Sequence, residues 1–350
     1  MVLGACLDIG IWCLVIAMMS ALPSPNVAVL MGGPSGEHEI SLKSGHGVAE
    51  ALMGRGWSVE PVVIPQATSL AAAGEFVKGA LRQCRADVAF IALHGSFGED
   101  GTIQRICEEL RIAYTGSNPQ ASSLGMDKVA SRRRFEEAGL AIPRWHLIEM
   151  NAARPTAAIA KRLKRLSRPL VVKPTQQGSS LGVSIVRQDH ELQPALEEAA
   201  RYGRHILIEE FVSGREMTVG VLGEEPLPIV EIRPSQPFFD FAAKYTAGLT
   251  EYVVPAPLRP SVAATVQAAG AAAHRALGCR HLSRADIILT PQGVPVVLEV
   301  NTIPGFTPTS LLPKAAACAG LSYEELCEQL VTMALRGTAR RRSVRELVHL

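Results

Sequence analysis

The sequence predicts an α/β protein built from three units in series, and three observations carry that expectation. From residue 26 onward, short apolar runs alternate with helical patterns in the rhythm of βαβ units on a parallel sheet. A break near Thr115–Pro119, rich in Gly, Ser and Pro, ends that rhythm. Beyond it lie a smaller α+β segment and then a third α+β segment that contains a long irregular loop. The divisions fall at residues 23–117, 118–210 and 211–350. A chain of 350 residues, 47% hydrophobic and 19% charged, is long enough for such a set of domains with real cores and is unlike a disordered chain.

The elements follow in order. Residues 1–22 are set apart: Ile11–Leu22 is an apolar run too short to span a bilayer, and the residues before it carry Asp8 but no Lys or Arg, unlike a secretory leader. Met18 and Met19 stand just ahead of the first convincing strand, so the expectation is a misassigned start rather than a membrane anchor. In the first unit, strands are expected at Asn26–Met31, Val59–Ile64 and Asp87–Leu93, with helices near Ser44–Gly54 and Leu70–Arg82. Two loops at the C-terminal ends of these strands, GGPSGEHEIS and HGSFGEDGTIQ, combine Gly with Glu or His where parallel sheets place ligands. The second unit reads as a helix holding Lys128 and the run Arg132–Arg134, then strands near 142–148, 169–173, 183–186 and 205–210, with a helical stretch near 152–166. The third reads as strands EMTVGVL and PLPIVEI, a loop at 234–249, an Ala-rich helix at 261–277, strands ADIIL and VPVVLEVN, and helices near 310–319 and 322–335.

Composition narrows the function classes. A formal charge of +2 gives no reason to expect nucleic acid or an anionic membrane as partner. The seven cysteines are scattered and never spaced C-x-x-C, which argues against a disulfide framework or structural zinc and fits a reducing cytoplasm.

Two stretches carry the chemistry. In VLEVNTIPGFTPTS, residues 297–310, Glu299 and Asn301 interrupt an apolar strand two positions apart, so they share one face. With Asp286 of SRADIIL they form an all-oxygen set, the kind that suits Mg²⁺ shared with phosphates; an ion pair with Arg284 is the competing account of Asp286 alone. In RPLVVKPTQQGSSLGVSIV, residues 168–186, a strand delivers Lys173 into a loop of small residues whose backbone N–H groups can wrap an anion. An ordinary hairpin explains that stretch as well. Neither a Walker loop nor a G-x-G-x-x-G turn is present.

Taken together, GGPSGEHEISLKSG, ALHGSFGEDGTIQ, GMDK, VVKPTQQGSSLGVS, FFDFAAKYTAG, SRADIIL and LEVNTIPGFTPTSLLP resemble the D-alanine–D-alanine ligase family of the ATP-grasp superfamily. They occur in the family's order from about residue 26 to about 335, across all three units. The resemblance implies an N-terminal substrate-binding domain, a central ATP-grasp lid and a C-terminal catalytic domain. It also implies ATP-dependent joining of two D-alanines through a D-alanyl phosphate, for peptidoglycan precursor synthesis in the cytoplasm.

The roles that the resemblance implies are specific. Lys128, Lys173 and Lys244 would contact the ATP phosphates, and Gly178, Ser179 and Ser180 would close over them. Glu209, Glu210, Phe211 and Val212 would hold adenine through backbone and apolar edges, with Glu216 on the ribose. Asp286, Glu299 and Asn301 would hold two Mg²⁺ ions, with Mn²⁺ as an alternative and Glu299 bridging. Glu37 would bind the ammonium of the first D-alanine and His94 would lie near its carboxylate. Ser179 and Tyr245 would join Glu37 in a set that locks the loop shut. Arg284 and the Gly305 N–H would meet the oxyanion, and Ser310 with Leu311 would receive the second D-alanine's carboxylate. The family also implies a homodimer, with neither nucleic acid nor membrane as partner.

Departures from the family pattern stand at Arg105, Phe239, Phe241 and Ala243, around the loop and at one helix start rather than in the proposed contacts. His38 and His46 are expected to be packing or surface histidines. Other readings are a ligase joining D-alanine to a hydroxy acid, a nucleotide-binding regulator without turnover, and a membrane-attached protein resting on residues 11–22.

Overall fold

The computed structural model describes residues 25–66, 69–150, 163, 165–178, 181–234 and 250–348. The leader, Ser179, Ser180, Lys244, Tyr245, nearly all of the 152–166 stretch and the loop from 235 to 249 lie outside the described residues.

The first unit runs β1 (Asn26–Gly32), α1 (His38–Gly54), β2 (Ser58–Ile64), α2 (Leu70–Gln83), β3 (Val88–Ile91), α3 (Thr102–Leu110) and β4 (Ala113–Tyr114). Its sheet has the order β2-β1-β3-β4 with every pair parallel, as the alternating pattern predicts. Such a sheet is buried on both faces, which is why β1 and β3 read as unbroken apolar runs. Helix α1 begins well before the expected Ser44. Its polar-looking first turns are buried: Ser41 donates to the Ala92 carbonyl at 2.7 Å and accepts from the Gly32 N–H at 2.9 Å. Helix α3 contains Arg105, where the sequence places a helix start without a range. Asp100 starts it by accepting from the Phe97 and Thr102 N–H groups, after a left-handed Gly101 at φ 91° whose Cβ would strike the Pro119 carbonyl.

Helices α4 (Pro119–Met126) and α5 (Lys128–Glu137) come next. Asn118 caps α4 through the Ala121 N–H, and Asp127 caps α5 by accepting from Val129 and Ala130. A four-stranded antiparallel sheet follows, β5 (Trp145–Glu149), β6 (Leu170–Pro174), β7 (Ser184–Val186) and β8 (His205–Glu210), in the order β5-β8-β6-β7, backed by α6 (Leu192–Ala200).

The last sheet is β9 (Arg215–Leu222), β10 (Glu225–Pro226), β11 (Val230–Pro234), β12 (Thr250–Val253), β13 (Leu282–Leu289) and β14 (Pro295–Asn301), with α7 (Pro260–Leu277) between β12 and β13. Its order is β12-β11-β9-β13-β14, all antiparallel, with β10 beside β9. Helices α8 (Leu311–Cys318) and α9 (Tyr323–Val348) end the chain. Both return to the first sheet: Leu312, Leu326, Leu330 and Phe306 share one core with Val27, Val29 and Phe90. The three sheets therefore surround a common cleft.

Among the described residues no helix is long and apolar enough to cross a membrane. Five cysteines there, Cys84, Cys107, Cys279, Cys318 and Cys327, are free thiols.

Candidate functional site

The cleft has a volume of about 1200 Å³, and every proposed site residue within the described part of the chain lines it. Three groups of side chains build it.

The first group stands on the ribbon β13–β14, whose register puts Arg284 opposite Asn301 and Asp286 opposite Glu299, with an irregularity immediately after Asp286. Arg284 donates from Nε and Nη2 to the two Asp286 oxygens, each at 2.8 Å. Thr218 of β9 donates to Asp286 Oδ1 at 3.0 Å, and Asn301 Nδ2 donates to Oδ2 at 3.1 Å. The ion pair between Arg284 and Asp286 that the sequence left open is thus present. Glu299 stands 3.5 Å from Lys128 Nζ. Among the described residues no group of three or more His, Cys, Asp and Glu side chains could hold a metal. The donor set is two carboxylates and an amide, all oxygen, on strand positions that open into the cleft; that chemistry fits a magnesium ion completed by water and phosphate.

Two lysines and their supports make the second group. Lys128, the first residue of α5, donates to the Gln177 carbonyl at 2.7 Å, and its N–H bonds the Thr175 carbonyl at 3.0 Å, so α5 is tied to the loop after Lys173. Lys173 is buried and donates to Glu209 Oε1 at 2.5 Å; Arg132 Nη2 donates to the other Glu209 oxygen at 2.8 Å. Burial pushes the Lys173 ammonium below its ordinary value, with Glu209 opposing and Arg132 and Lys128 adding to the shift. Burial would raise the Glu209 carboxyl, but Arg132 and Lys173 hold it below the usual range. Glu210 is turned the other way, toward Arg144 and the Ser167 N–H. Both carboxylates of this linker are thus engaged by neighbouring side chains and main chain, and Phe211 and Val212 line the cleft beside them.

The third group comes from the first unit and from α8. Glu37 occupies the N-cap of α1, with its Oε2 so close to Gly95 that a Cβ there would lie 2.9 Å away. His94 is buried, with Nε2 3.1 Å from Ser44 Oγ and Nδ1 3.7 Å from Glu99. Burial pushes the Glu99 carboxyl up, His94 opposes, and the Glu37 charge adds to the rise. Ser310 is the N-cap of α8; its Oγ accepts from the Thr307 N–H at 3.0 Å and lies 3.3 Å from where a Gly305 Cβ would stand. Helix N-termini favour anions, and Ser310 and Leu311 open that one into the cleft.

Sequence reasoning missed Arg132, Glu99 and Lys314. The signal for Arg132 was its spacing of one helical turn from Lys128; that for Glu99 was its place in the same Gly-rich loop as His94. Lys314, on the first turn of α8, lines the cleft with its ammonium 4.8 Å from the centre of the Tyr252 ring. His38 is a packing residue, 2.8 Å from the Gly33 carbonyl, and His46 is exposed, both as expected.

Comparison with known proteins converges on one family. The family model for the D-ala D-ala ligase C-terminus matches residues 134–332, and that for the N-terminus matches 66–117. Curated relatives include a D-alanine–D-alanine ligase of Anaeromyxobacter sp. (strain Fw109-5), 45% identical over 87% of this chain and 95% of the relative. Another, from Geotalea uraniireducens (strain Rf4), is 42% identical over 89% of this chain and 96% of the relative. Among solved structures, a D-alanine–D-alanine ligase from Bacillus anthracis complexed with ATP superposes with a TM-score of 0.77 at 31% identity, covering 91% of this chain and all (100%) of that one. The enzyme from Coxiella burnetii gives a TM-score of 0.79 at 25% identity, covering 94% of this chain and 99% of that one.

Proposed function

The chain belongs to the D-alanine–D-alanine ligase family, and we propose that it joins two D-alanines with ATP in the cytoplasm, as a homodimer, to supply peptidoglycan precursors. The observation that carries this reading is the meeting of a glutamate, two lysines and an arginine in one cleft, the types that an ammonium, phosphates and an oxyanion call for. Glu37, Lys128, Lys173 and Arg284 come from separate parts of the chain and have no common structural reason to converge.

A carboxylate is a poor electrophile, so the first D-alanine must be activated. Its carboxylate oxygen attacks the γ-phosphorus, the bond to the bridging oxygen of ADP breaks, and D-alanyl phosphate results. Glu37 holds the ammonium of that substrate, with His94 beside the carboxylate. Lys128 and Lys173 neutralise charge on the phosphates, and by the family resemblance Lys244, Gly178, Ser179 and Ser180 join them there. Asp286, Glu299 and Asn301 would hold two Mg²⁺ ions, or Mn²⁺, which supply charge neutralisation on the transferring phosphoryl group.

The amine of the second D-alanine then attacks the carbonyl carbon, and the tetrahedral intermediate expels phosphate. Arg284 and the Gly305 N–H meet the oxyanion, while Ser310 and the start of α8 hold the second carboxylate. Phe211, Val212 and the neighbouring main chain of Glu209 and Glu210 take adenine, with Glu216 on the ribose. Ser179 and Tyr245 shield the acyl phosphate from water. Purified protein given ATP, Mg²⁺ and D-alanine should release ADP and phosphate in step with D-alanyl-D-alanine. ATP hydrolysis without dipeptide, or a depsipeptide as the one product when a D-hydroxy acid is supplied beside D-alanine, would overturn the proposal.

A further inference from the structure

Of the run Arg132–Arg134, only the first residue is buried. Arg133 and Arg134 are exposed, whereas Arg132 is 1% accessible and lies one helical turn after Lys128 on α5. Its guanidinium reaches in two directions. Nη2 donates to Glu209 Oε2 at 2.8 Å, and Nη1 donates to the Leu298 carbonyl, with the Val297 carbonyl at 3.4 Å. Glu209 in turn fixes Lys173 through its other oxygen. Leu298 immediately precedes Glu299, which faces Lys128.

We propose that Arg132 is a positioning residue for nucleotide: it pins Lys173, through Glu209, and the Glu299 strand in one register. The inference rests on the ligase reading above. The pin joins two sheets, since Lys173 and Glu209 belong to β6 and β8 while Leu298 and Glu299 belong to β14. The planar fork of an arginine can serve both at once, with fixed geometry between its arms. A buried guanidinium is expensive, and here its Nε has no hydrogen-bond partner. An apolar residue would fill the place between α5 and β14 without that cost, so the charge needs a reason beyond packing. The lysine that it holds at second hand supplies one.

The test uses the full-length enzyme. Arg132→Gln should raise the KM for ATP by about ten- to a hundredfold, in line with a lost charge-assisted bond, while the KM for D-alanine changes by no more than about twofold. Arg132→Lys, which can still pair with Glu209, should recover most of the ATP KM. Glu209→Gln should raise it to a similar extent, and the double variant Arg132→Gln with Glu209→Gln should lose no more than the worse single change, because both cut one chain of contacts. A merely structural role predicts the opposite: additive losses, with kcat and both KM values degraded together. Folded Arg132→Gln enzyme with a wild-type ATP KM overturns the proposal. Should that variant not fold, Glu209→Gln decides, and a wild-type ATP KM there overturns it equally. Absence of dipeptide synthesis by the unmodified enzyme would instead strike at the ligase reading.

Discussion

The ribbon β13–β14 and the junction of Arg132, Glu209 and Lys173 both put charged groups into the same cleft, but by different means. On the ribbon, register alone sets the positions: Arg284 pairs with Asn301 and Asp286 with Glu299, and the period of a strand turns all four to one side. At the junction, three charged side chains from a helix and two strands of another sheet meet in the interior, held by 2.5 and 2.8 Å contacts. The ribbon is proposed to offer charge to a ligand. The junction uses charge to hold a neighbour.

The sharpest way to break this comparison is to remove the ribbon's charge. Glu299→Gln keeps shape and strand pairing but deletes the carboxylate that faces Lys128 and that would help to hold the metal ions. Ligase turnover should fall by about a thousandfold or more, roughly the loss of one strong electrostatic term in phosphoryl transfer, while the fold persists. Wild-type turnover at limiting Mg²⁺ would refute a metal role for the ribbon. Next in size is Arg284→Gln. Losing one oxyanion donor costs roughly 2.7–4 kcal/mol, so kcat should drop about 10²- to 10³-fold. Here the ATP KM should stay near wild type, the reverse of the outcome expected at Arg132.

The same contrast explains what was legible in the sequence. Asp286, Glu299 and Asn301 stood out because polar residues at period two break apolar strands, and the structure brings them together as that period implies. The parallel first sheet was equally readable, since both of its faces are covered and its strands read as continuous apolar runs. Arg132 and Glu209 gave no such signal. A charge whose partner is far along the chain looks the same in sequence as a solvated one, and nothing in the run Arg132–Arg134 separates its buried first member from the two exposed ones. Helix α1 was shortened in the sequence reading for a related reason: its first turns carry Ser41 and Ser44, which bury their hydroxyls on main chain and on His94.

A third test concerns the joint between the first unit and the last sheet. His281 Nδ1 accepts from the Gly116 N–H at 3.2 Å, and burial pulls its imidazole down to about 4. The sign follows from linkage. Between pH 6.5 and about 4 the unfolded chain binds a proton that the folded chain does not, so stability is full above pH 6.5 and declines as pH falls. At pH 5 the loss should be on the order of 1–2 kcal/mol. His281→Asn suits the residue's positive φ of 63°, removes the titration, and should flatten the pH dependence of urea unfolding in this range. A slope equal to that of the wild type would assign the acid loss elsewhere.

The smallest expected effect comes from Tyr323, on α9, and it asks whether an element remote from the ligand can hold a cleft residue through main chain alone. Its hydroxyl donates to the Phe306 carbonyl at 2.7 Å, and its ring lies 5.8 Å from that of Phe306, which in turn sits 5.5 Å from Phe90 of the first sheet. Phe306 follows Gly305, whose N–H is proposed to meet the oxyanion, so the stack and this hydrogen bond anchor the chain just after that donor. Tyr323→Phe deletes one hydrogen bond and keeps the ring packing. It should cost about 0.5–1.5 kcal/mol of stability and lower kcat by no more than about tenfold. The KM for ATP should not change, because Lys128 and Lys173 are held by other contacts. A lowered melting temperature with unaltered kcat would mean that the Gly305 turn is set by Ser310 and Thr307, which bond each other at 2.8 and 3.0 Å, and that the aromatic stack serves stability alone.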